Sequence, residues 1–505
     1  MKMTVSWAVA VQRSRLARAC AAAAAVCGLV LAGAGTAAGA RAAVSAGRWG
    51  TAIEVPGLAA LNAGNGSAAV VSVSCALAGY CGAGGYYTDR GRHTQGLVVS
   101  ERNGRWGNAV VVPGLVALNA AGNAQVVSVS CTGRGRCAAG GFYTDSSGHT
   151  QGFVVSERNG RWGDAVEVPG LAALDGGASA QVSSVSCASA GNCAAGGQYG
   201  QVSGGSQAYL VSETHGVWRP AREVPLPSTS GGNAAVTSVS CPSAGNCTAG
   251  GYYPIPPGPL AVPGQNRQGF VVSETDGVWG TPQAPPGLAA LNVGDSAAVS
   301  SVSCASAGNC GAAGTWTGEY DGTDDNPGLT NAFVAAEKNG RWGTAHVPSA
   351  TFLAGSETTT AHTVSCPSAG NCTAVGDDTG GVDHGVYVVS ERNGRWRTAQ
   401  QLPGLTALNG PASVAAIGPL SCPSAGNCGA GGYYLVPGSG HEAFVVTERN
   451  GRWGRAAEVP GTADLNLGGN AAVTAVSCPQ PGRCAVGGYY TDKHGYIHAF
   501  LDSQL

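Results

Sequence analysis

The chain of 505 residues has a net charge of −2 and only 11% charged side chains, which excludes the basic field that nucleic-acid or anionic-membrane binding requires. Glycine numbers 82, whereas Phe numbers seven and Trp ten, so a core must be assembled largely from small and β-branched side chains. Eighteen cysteines organise everything that follows.

Residues 1–42 read as a secretory signal peptide. Arg13, Arg15 and Arg18 precede an apolar run from Ala19 to about Leu31, and Ala38-Gly39-Ala40 and Ala40-Arg41-Ala42 both suit cleavage. No consecutive Arg-Arg pair and no lipobox cysteine is present, so general secretion without a lipid anchor is expected. No later stretch is long and apolar enough to span a bilayer. The domain is therefore placed at residues 43–505, secreted, extracellular or attached to the cell envelope, and monomeric, with no membrane insertion and no nucleic-acid partner.

Cys20 and Cys27 fall in the leader, and the other sixteen cysteines form eight pairs, each spaced by six residues. They are Cys75/Cys81, Cys131/Cys137, Cys187/Cys193, Cys241/Cys247, Cys304/Cys310, Cys366/Cys372, Cys422/Cys428 and Cys478/Cys484. A recurrence about every 56 residues marks a repeat in which one supersecondary unit packs on its copies. In an exported chain such pairs read as local disulfides; zinc would need two short-spaced pairs or nearby histidines at each site.

In chain order, the first element after the leader is a lone strand at residues 47–55, opened by Trp49. Each unit then reads as four strands, A to D; in the second unit they cover residues 125–131, 137–143, 151–158 and 161–168, rich in β-branched or aromatic residues and bounded by turn formers. The paired cysteines bracket the A–B turn, and all sixteen are placed as hairpin clasps on a structural rim. Asn103-Gly104, Asn159-Gly160, Asn339-Gly340, Asn393-Gly394 and Asn450-Gly451 stand between C and D, the signature of a type I′ hairpin. The last unit has A, B and C at about residues 472–478, 484–490 and 496–502 but no D. The lone N-terminal strand is its D strand, which requires the last unit to lie beside the first. The expected fold is all-β: an eight-bladed β-propeller of four-stranded blades, A innermost, closed by the N-terminal strand joining the last blade.

The double glycines ending strand B (Gly84-Gly85, Gly140-Gly141, Gly196-Gly197, Gly250-Gly251, Gly431-Gly432, Gly487-Gly488) and the tryptophans opening strand D (Trp106, Trp162, Trp218, Trp279, Trp342, Trp396, Trp453) resemble the kelch repeat. The Ser-Glu-Arg-Asn-Gly-Arg-Trp hairpin is loosely similar to the Asp-box of sialidase-like propellers, with arginine or another residue where the aspartate belongs. The Ser-Val-Ser-Cys-x5-Cys-x-Ala-x-Gly element resembles secreted actinobacterial repeat proteins of unassigned function. These resemblances imply the propeller fold; such propellers include enzymes and binding scaffolds alike, so fold does not choose between them.

Function is sought where the copies differ, on the rim formed by the B–C and D–A loops. Unit 4 has a proline-rich B–C loop at residues 254–264. Unit 5 inserts Glu319, Tyr320, Asp321, Asp324 and Asp325. Unit 6 carries Asp377, Asp378, Asp383 and His384, with His362 in its A strand. These ten residues are the ligand-binding candidates. The acidic ones are read either as a solvated loop, as ligand contacts or as a calcium site, since hard cations want several oxygen ligands; the spacing matches no EF-hand, and no cofactor is expected. His362 reads as a packed or channel-lining residue rather than a catalyst. The repeated Asn62, Asn119, Asp175, Asn292, Asn409 and Asn466 read as turn residues rather than a lectin-like polar ring, as do Asp89, Asp145 and Asp492. Glu101, Glu157, Glu213, Glu274, Glu337, Glu391 and Glu448 recur too regularly for one active centre and read as structural. No nucleophile elbow, zinc motif or phosphate loop occurs, and catalytic residues stay unassigned. The expectation is a non-enzymatic propeller binding a glycan, cell-envelope component or protein; the alternative is an extracellular carbohydrate-active enzyme with a site near units 4 to 6.

Overall fold

Strands A, B and C form where Val, Ser, Tyr and small residues run between glycine-bearing turns. In blade 1 they are Ala68–Leu77, Tyr80–Thr88 and Thr94–Arg102. In this computed structural model the described residues are 47–504, without 64–65, 203, 228–231, 262–265, 320–327, 354–355, 357, 380–384 and 411–413. The leader expected at residues 1–42 lies outside them, as do the candidates Tyr320, Asp321, Asp324, Asp325, Asp383 and His384.

Eight antiparallel sheets share the order A-B-C-D. Each A strand lies against the A strands of the two adjacent blades, and Ala472–Gln480 of blade 8 lies against Ala68–Leu77 of blade 1, so the eight blades close into a propeller with A innermost. Ile53–Glu54 is the outer strand of blade 8, pairing Ile53 with Leu501 and Glu54 with Phe500. Strand D differs from the single strand expected. In blade 1 it is two short pieces, Arg105–Trp106 and Val110–Val111, pairing with Glu101 and Arg102 and then with Leu97 and Val98. Gly107 and Asn108 between them favour bends over a ladder, and the Gly107 amide turns in to the Ser100 carbonyl. The D–A connection also carries a one-turn helix, Leu58–Leu61 in the first copy, too short to leave a helical period in the sequence.

The C–D hairpins have the expected backbone: Asn103 and Gly104 take φ of 52° and 75°. His215-Gly216 and Asp276-Gly277 do the same work in blades 3 and 4. All eight disulfides are closed; Cys75 and Cys81 are direct cross-strand partners. Eight closed bridges indicate an oxidising compartment. Among the described residues no helix is long and apolar enough to cross a membrane.

The bridges on the A–B turns are partly buried. The second cysteine of every pair is buried. Cys247, Cys310, Cys372 and Cys428 belong to the apolar layers of blades 4, 5, 6 and 7. The reason is that the sulfurs turn toward the preceding blade, where a small residue leaves them room. A Cβ at Gly311 of blade 5 would lie 2.6 Å from Cys366 Sγ and 3.0 Å from Cys372 Sγ, and one at Gly429 would lie 2.7 Å from Cys478 Sγ. In blade 4 the Thr248 hydroxyl occupies the equivalent place, 3.3 Å from Cys310 Sγ. Each bridge therefore packs between blades as well as closing its own hairpin.

The core is divided into layers between blades. Phe153, Phe270, Phe333, Phe444 and Phe500 are fully buried amid Val and Ala, and glycine sets how closely blades approach. A Cβ at Gly140 of blade 2 would lie 2.8 Å from both Val182 and Val185 of blade 3, so the first of the paired glycines admits the next blade's valines. The recurring glutamates lie in the same layers, all buried. Glu157 accepts a hydrogen bond from Ser100 of the preceding blade at 2.9 Å, and Trp162 Nε1 donates to the same serine at 3.3 Å. Their role is structural, as expected, and it is exercised between blades.

Candidate functional site

Strand B enters the B–C loop with two residues of opposite orientation, since successive side chains on a strand alternate faces. The first is half-buried in every blade: Tyr86, Phe142, Gln198, Tyr252, Thr315, Asp377, Tyr433 and Tyr489. Each lies opposite the start of the innermost strand, as Tyr86 does with Ala69 and Tyr489 with Ala472. The second is buried in most blades, as at Tyr87, Tyr143, Tyr199, Tyr434 and Tyr490. Blades 7, 8, 1 and 2 thus present consecutive aromatic rings at one level of the propeller. Burial raises the Tyr489 phenol above its usual range, and the phenols of Tyr433 and Tyr86, one blade to either side, add to the rise. The Arg267 guanidinium lies 5.1 Å from the centre of the Tyr252 ring, and the His441 ring is 4.6 Å from that of Tyr433.

Blade 6 replaces both aromatic residues by carboxylates, and the two diverge. Asp377 Oδ1 is 2.9 Å from Nε2 of His362 and accepts from the Thr360 hydroxyl. The Thr360 hydroxyl is also 2.9 Å from His362 Nε2, and the Tyr387 hydroxyl donates to the Thr360 carbonyl at 2.7 Å. His362 keeps 40% of its side chain exposed, so it is a paired, accessible imidazole rather than a packed one. Asp378 turns the other way. It is buried, accepts from the Gly385 amide at 3.1 Å and the Ser356 hydroxyl at 3.3 Å, and burial raises its carboxyl despite those bonds. Asp378 therefore ties down the B–C loop of its own blade.

Of the sequence candidates, His362 and Asp377 come together and Asp378 adjoins them with a different role. Glu319 is exposed in blade 5, and its backbone carbonyl accepts from the Gly328 amide at 3.1 Å. Among the described residues no group of three or more His, Cys, Asp or Glu side chains is placed to hold a metal ion. The sequence reading missed the aromatic run; the Tyr-Tyr or Phe-Tyr step after five of the six double glycines was the available signal, because strand alternation exposes its first member.

All the recurring asparagines are buried, and three of them, Asn119, Asn292 and Asn466, are inter-blade locks. Asn119 is 4% exposed. Its amide donates to Thr94 O at 3.0 Å and Gln95 Oε1 at 3.1 Å in blade 1, and its oxygen accepts from the Asn123 amide at 2.8 Å and, in blade 2, from the Thr144 amide at 3.3 Å. The side-chain amides of Asn292 and Asn466 donate alike at their own junctions, which leaves no polar ring for a ligand. Asp89, Asp145 and Asp492 accept amides of their own loops, as turn residues do.

No protein-family model matches the chain, and no curated protein matches it. Among solved structures it is similar to a polysaccharide lyase of family PL25, an ulvan lyase bound to an oligosaccharide, at 11% identity and a TM-score of 0.42, over 74% of this chain and 91% of that one. It is also similar to the Hadza microbial sialidase Hz136, at 13% identity and a TM-score of 0.36 over 71% and 73% of the two chains. A third likeness is to the N11 neuraminidase-like protein of bat influenza A/flat-faced bat/Peru/033/2010 (H18N11), at 13% identity and a TM-score of 0.31 over 75% and 87%. At these identities and scores the likenesses carry no functional argument.

Proposed function

We propose that the protein is an exported, non-enzymatic propeller that binds a glycan on its B–C and D–A rim. The observation that supports this reading is the run of half-buried aromatic rings Tyr433, Tyr489, Tyr86 and Phe142 on four successive blades. The negative face of an aromatic ring attracts the polarised C–H groups of a sugar, and tyrosine offers that area with little rotamer entropy to lose. Gln198, Thr315, Asp377 and His362 on other blades at this end supply the few polar groups that orient a ligand. Export through a leader at residues 1–42 belongs to the same proposal, in keeping with the eight bridges.

A second reading, a carbohydrate-active enzyme centred on blade 6, draws on the His362–Asp377 pair, because an imidazole held by a carboxylate is a familiar acid–base arrangement. Its weakness is the partner set: Asp377 Oδ1 is shared with Thr360, and the adjacent Asp378 is engaged with its own loop.

The test is a glycan array run with the mature protein beside a panel of glycosidase and lyase substrates. Saturable binding without turnover is expected. Turnover that disappears in Asp377→Asn would replace the binding reading with the enzymatic one.

A further inference from the structure

The opposite rim, where the disulfide turns meet the C–D hairpins, holds a second pattern. After strand C of blade 1, Arg102 crosses to blade 2, where its guanidinium lies 3.8 Å from Glu157 Oε1 and donates to the Gly160 carbonyl of the hairpin. Arg158 repeats this on blade 3, 3.7 Å from Glu213 and 2.5 Å from the Gly216 carbonyl. Arg392 reaches Glu448 of blade 7 at 2.8 Å.

Blades 3 and 4 break the pattern, with Thr214 and Thr275 at the arginine position. Their hydroxyls cannot span the gap, and among the described residues neither Glu274 nor Glu337 on the next blades forms an ion pair. A Cβ at Gly160 or Gly216 would collide with Arg102 or Arg158, whereas at Gly277 or Gly340, as at Gly451 of the socket that Arg392 enters, it meets nothing within 4 Å. Glu337 is 5% exposed, and among the described residues its buried Oε2 has no hydrogen-bond partner, as is also true of Oε2 of Glu213 and Glu448 in the filled sockets. It lines a cleft of about 340 Å³ together with Thr275, Gly340, Asn246 and Thr248. The cleft holding Glu274 and Thr214 reaches about 690 Å³; Arg219 and Arg222 lie on its wall, and among the described residues neither forms an ion pair.

We propose that these two clefts are sockets for guanidinium groups, filled by arginine side chains of a protein or peptide partner that dock as Arg102 and Arg158 do within the chain. The ligand chemistry follows from the filled copies: Arg102, Arg158 and Arg392 are all arginines, and in the first two Nη2 donates to the hairpin carbonyl while lying near the carboxylate. Access follows too, since Arg158 remains 64% exposed in its own socket. Because the sockets belong to successive blades, a partner presenting two arginines would gain avidity. This inference is independent of glycan binding, which concerns the other rim.

The experiment measures the thermal midpoint of the full mature protein with N-acetylarginine amide, N-acetyllysine amide or N-acetylcitrulline amide at matched ionic strength. The arginine probe should raise the midpoint saturably, the lysine probe should act about tenfold more weakly, and the citrulline probe should do nothing. In Thr214→Arg/Thr275→Arg the sockets are filled in cis, so the midpoint without probe rises and the response is lost. If that variant does not fold, Glu274→Gln/Glu337→Gln should lose the response instead. No saturable response in the unaltered protein, equal responses to arginine and citrulline or lysine, or a response that survives the variants would overturn the proposal.

Discussion

Trp49 and Gln504 are antiparallel bridge partners, joining the beginning of the described chain to its end within blade 8. Gln504 occupies the place that Glu101 holds opposite Trp106 in blade 1, so the closing blade repeats the others' geometry with its strands drawn from both ends. The Ser503 hydroxyl then continues the inter-blade series, donating to Glu101 at 3.2 Å.

Removing residues 1–55 should therefore expose the C strand of blade 8 along Phe500 and Leu501, the partners of Ile53–Glu54. An unpaired apolar edge recruits other chains. The expected outcome is self-association on size-exclusion chromatography and a lower thermal midpoint; a monomer with unchanged midpoint would remove closure from the account.

Stability should fall as pH rises from about 4 to 7. Asp502 lies where the other seven blades place Val99, Val155, Val211, Val272, Ala335, Val389 and Val446. It is 3% exposed, and burial pushes its carboxyl up to about 7, against the pull of the Ser503 and Gly50 amides. A carboxyl whose folded value lies above its unfolded one contributes stability that is full below the unfolded value and lost as pH rises through the folded value. The shift corresponds to roughly 4 kcal/mol at most. The buried glutamates, also raised by burial, act in the same direction. Asp502→Val should raise the midpoint at pH 8 and flatten its pH dependence, measured by calorimetry between pH 4 and 8.

Each bridge closes a short loop and is worth about 2 kcal/mol on the chain-entropy model. Heating in reductant, which reaches the buried sulfurs as blades open, should lower the thermal midpoint markedly, and Cys131→Ala/Cys137→Ala should lower it less. A midpoint indifferent to reductant would mean that packing between blades alone holds the ring.

Asn119→Ala removes four hydrogen bonds at a blade junction and leaves Thr94 O and the Thr144 amide without their side-chain partner. A loss of about 1–3 kcal/mol is expected from denaturant unfolding. A ligand-facing asparagine would instead alter binding at constant stability.

Much of this was legible in the amino-acid sequence because it is local. Strands A to C follow from Val-Ser and Tyr-rich runs, the hairpins from Asn-Gly, and closure from Trp49 standing alone. The split of strand D was not, because Gly163 and Asp164 interrupt a stretch whose flanks still look extended. The pairing of Cys366 with Cys372 was plain from spacing, but their burial depends on Gly311 of the blade before. Asn119 looked like a turn residue; its burial comes from Thr94 and Gln95 on the neighbouring blade, which no local spacing reveals. Asp377 and Asp378 were visible as a departure, but which of them faces His362 depends on register. Thr214 and Thr275 were equally visible, yet their meaning depends on knowing that Arg102 reaches Glu157.

The most direct measurement is calorimetric titration of the strongest glycan from the array into the unaltered protein and into Tyr433→Ala/Tyr489→Ala. Both tyrosines are half-buried, so the variant should keep its thermal midpoint within a few degrees, while affinity falls by about tenfold or more as two stacking faces are lost. Unchanged affinity in a folded variant would contradict the assignment of this rim as the binding face.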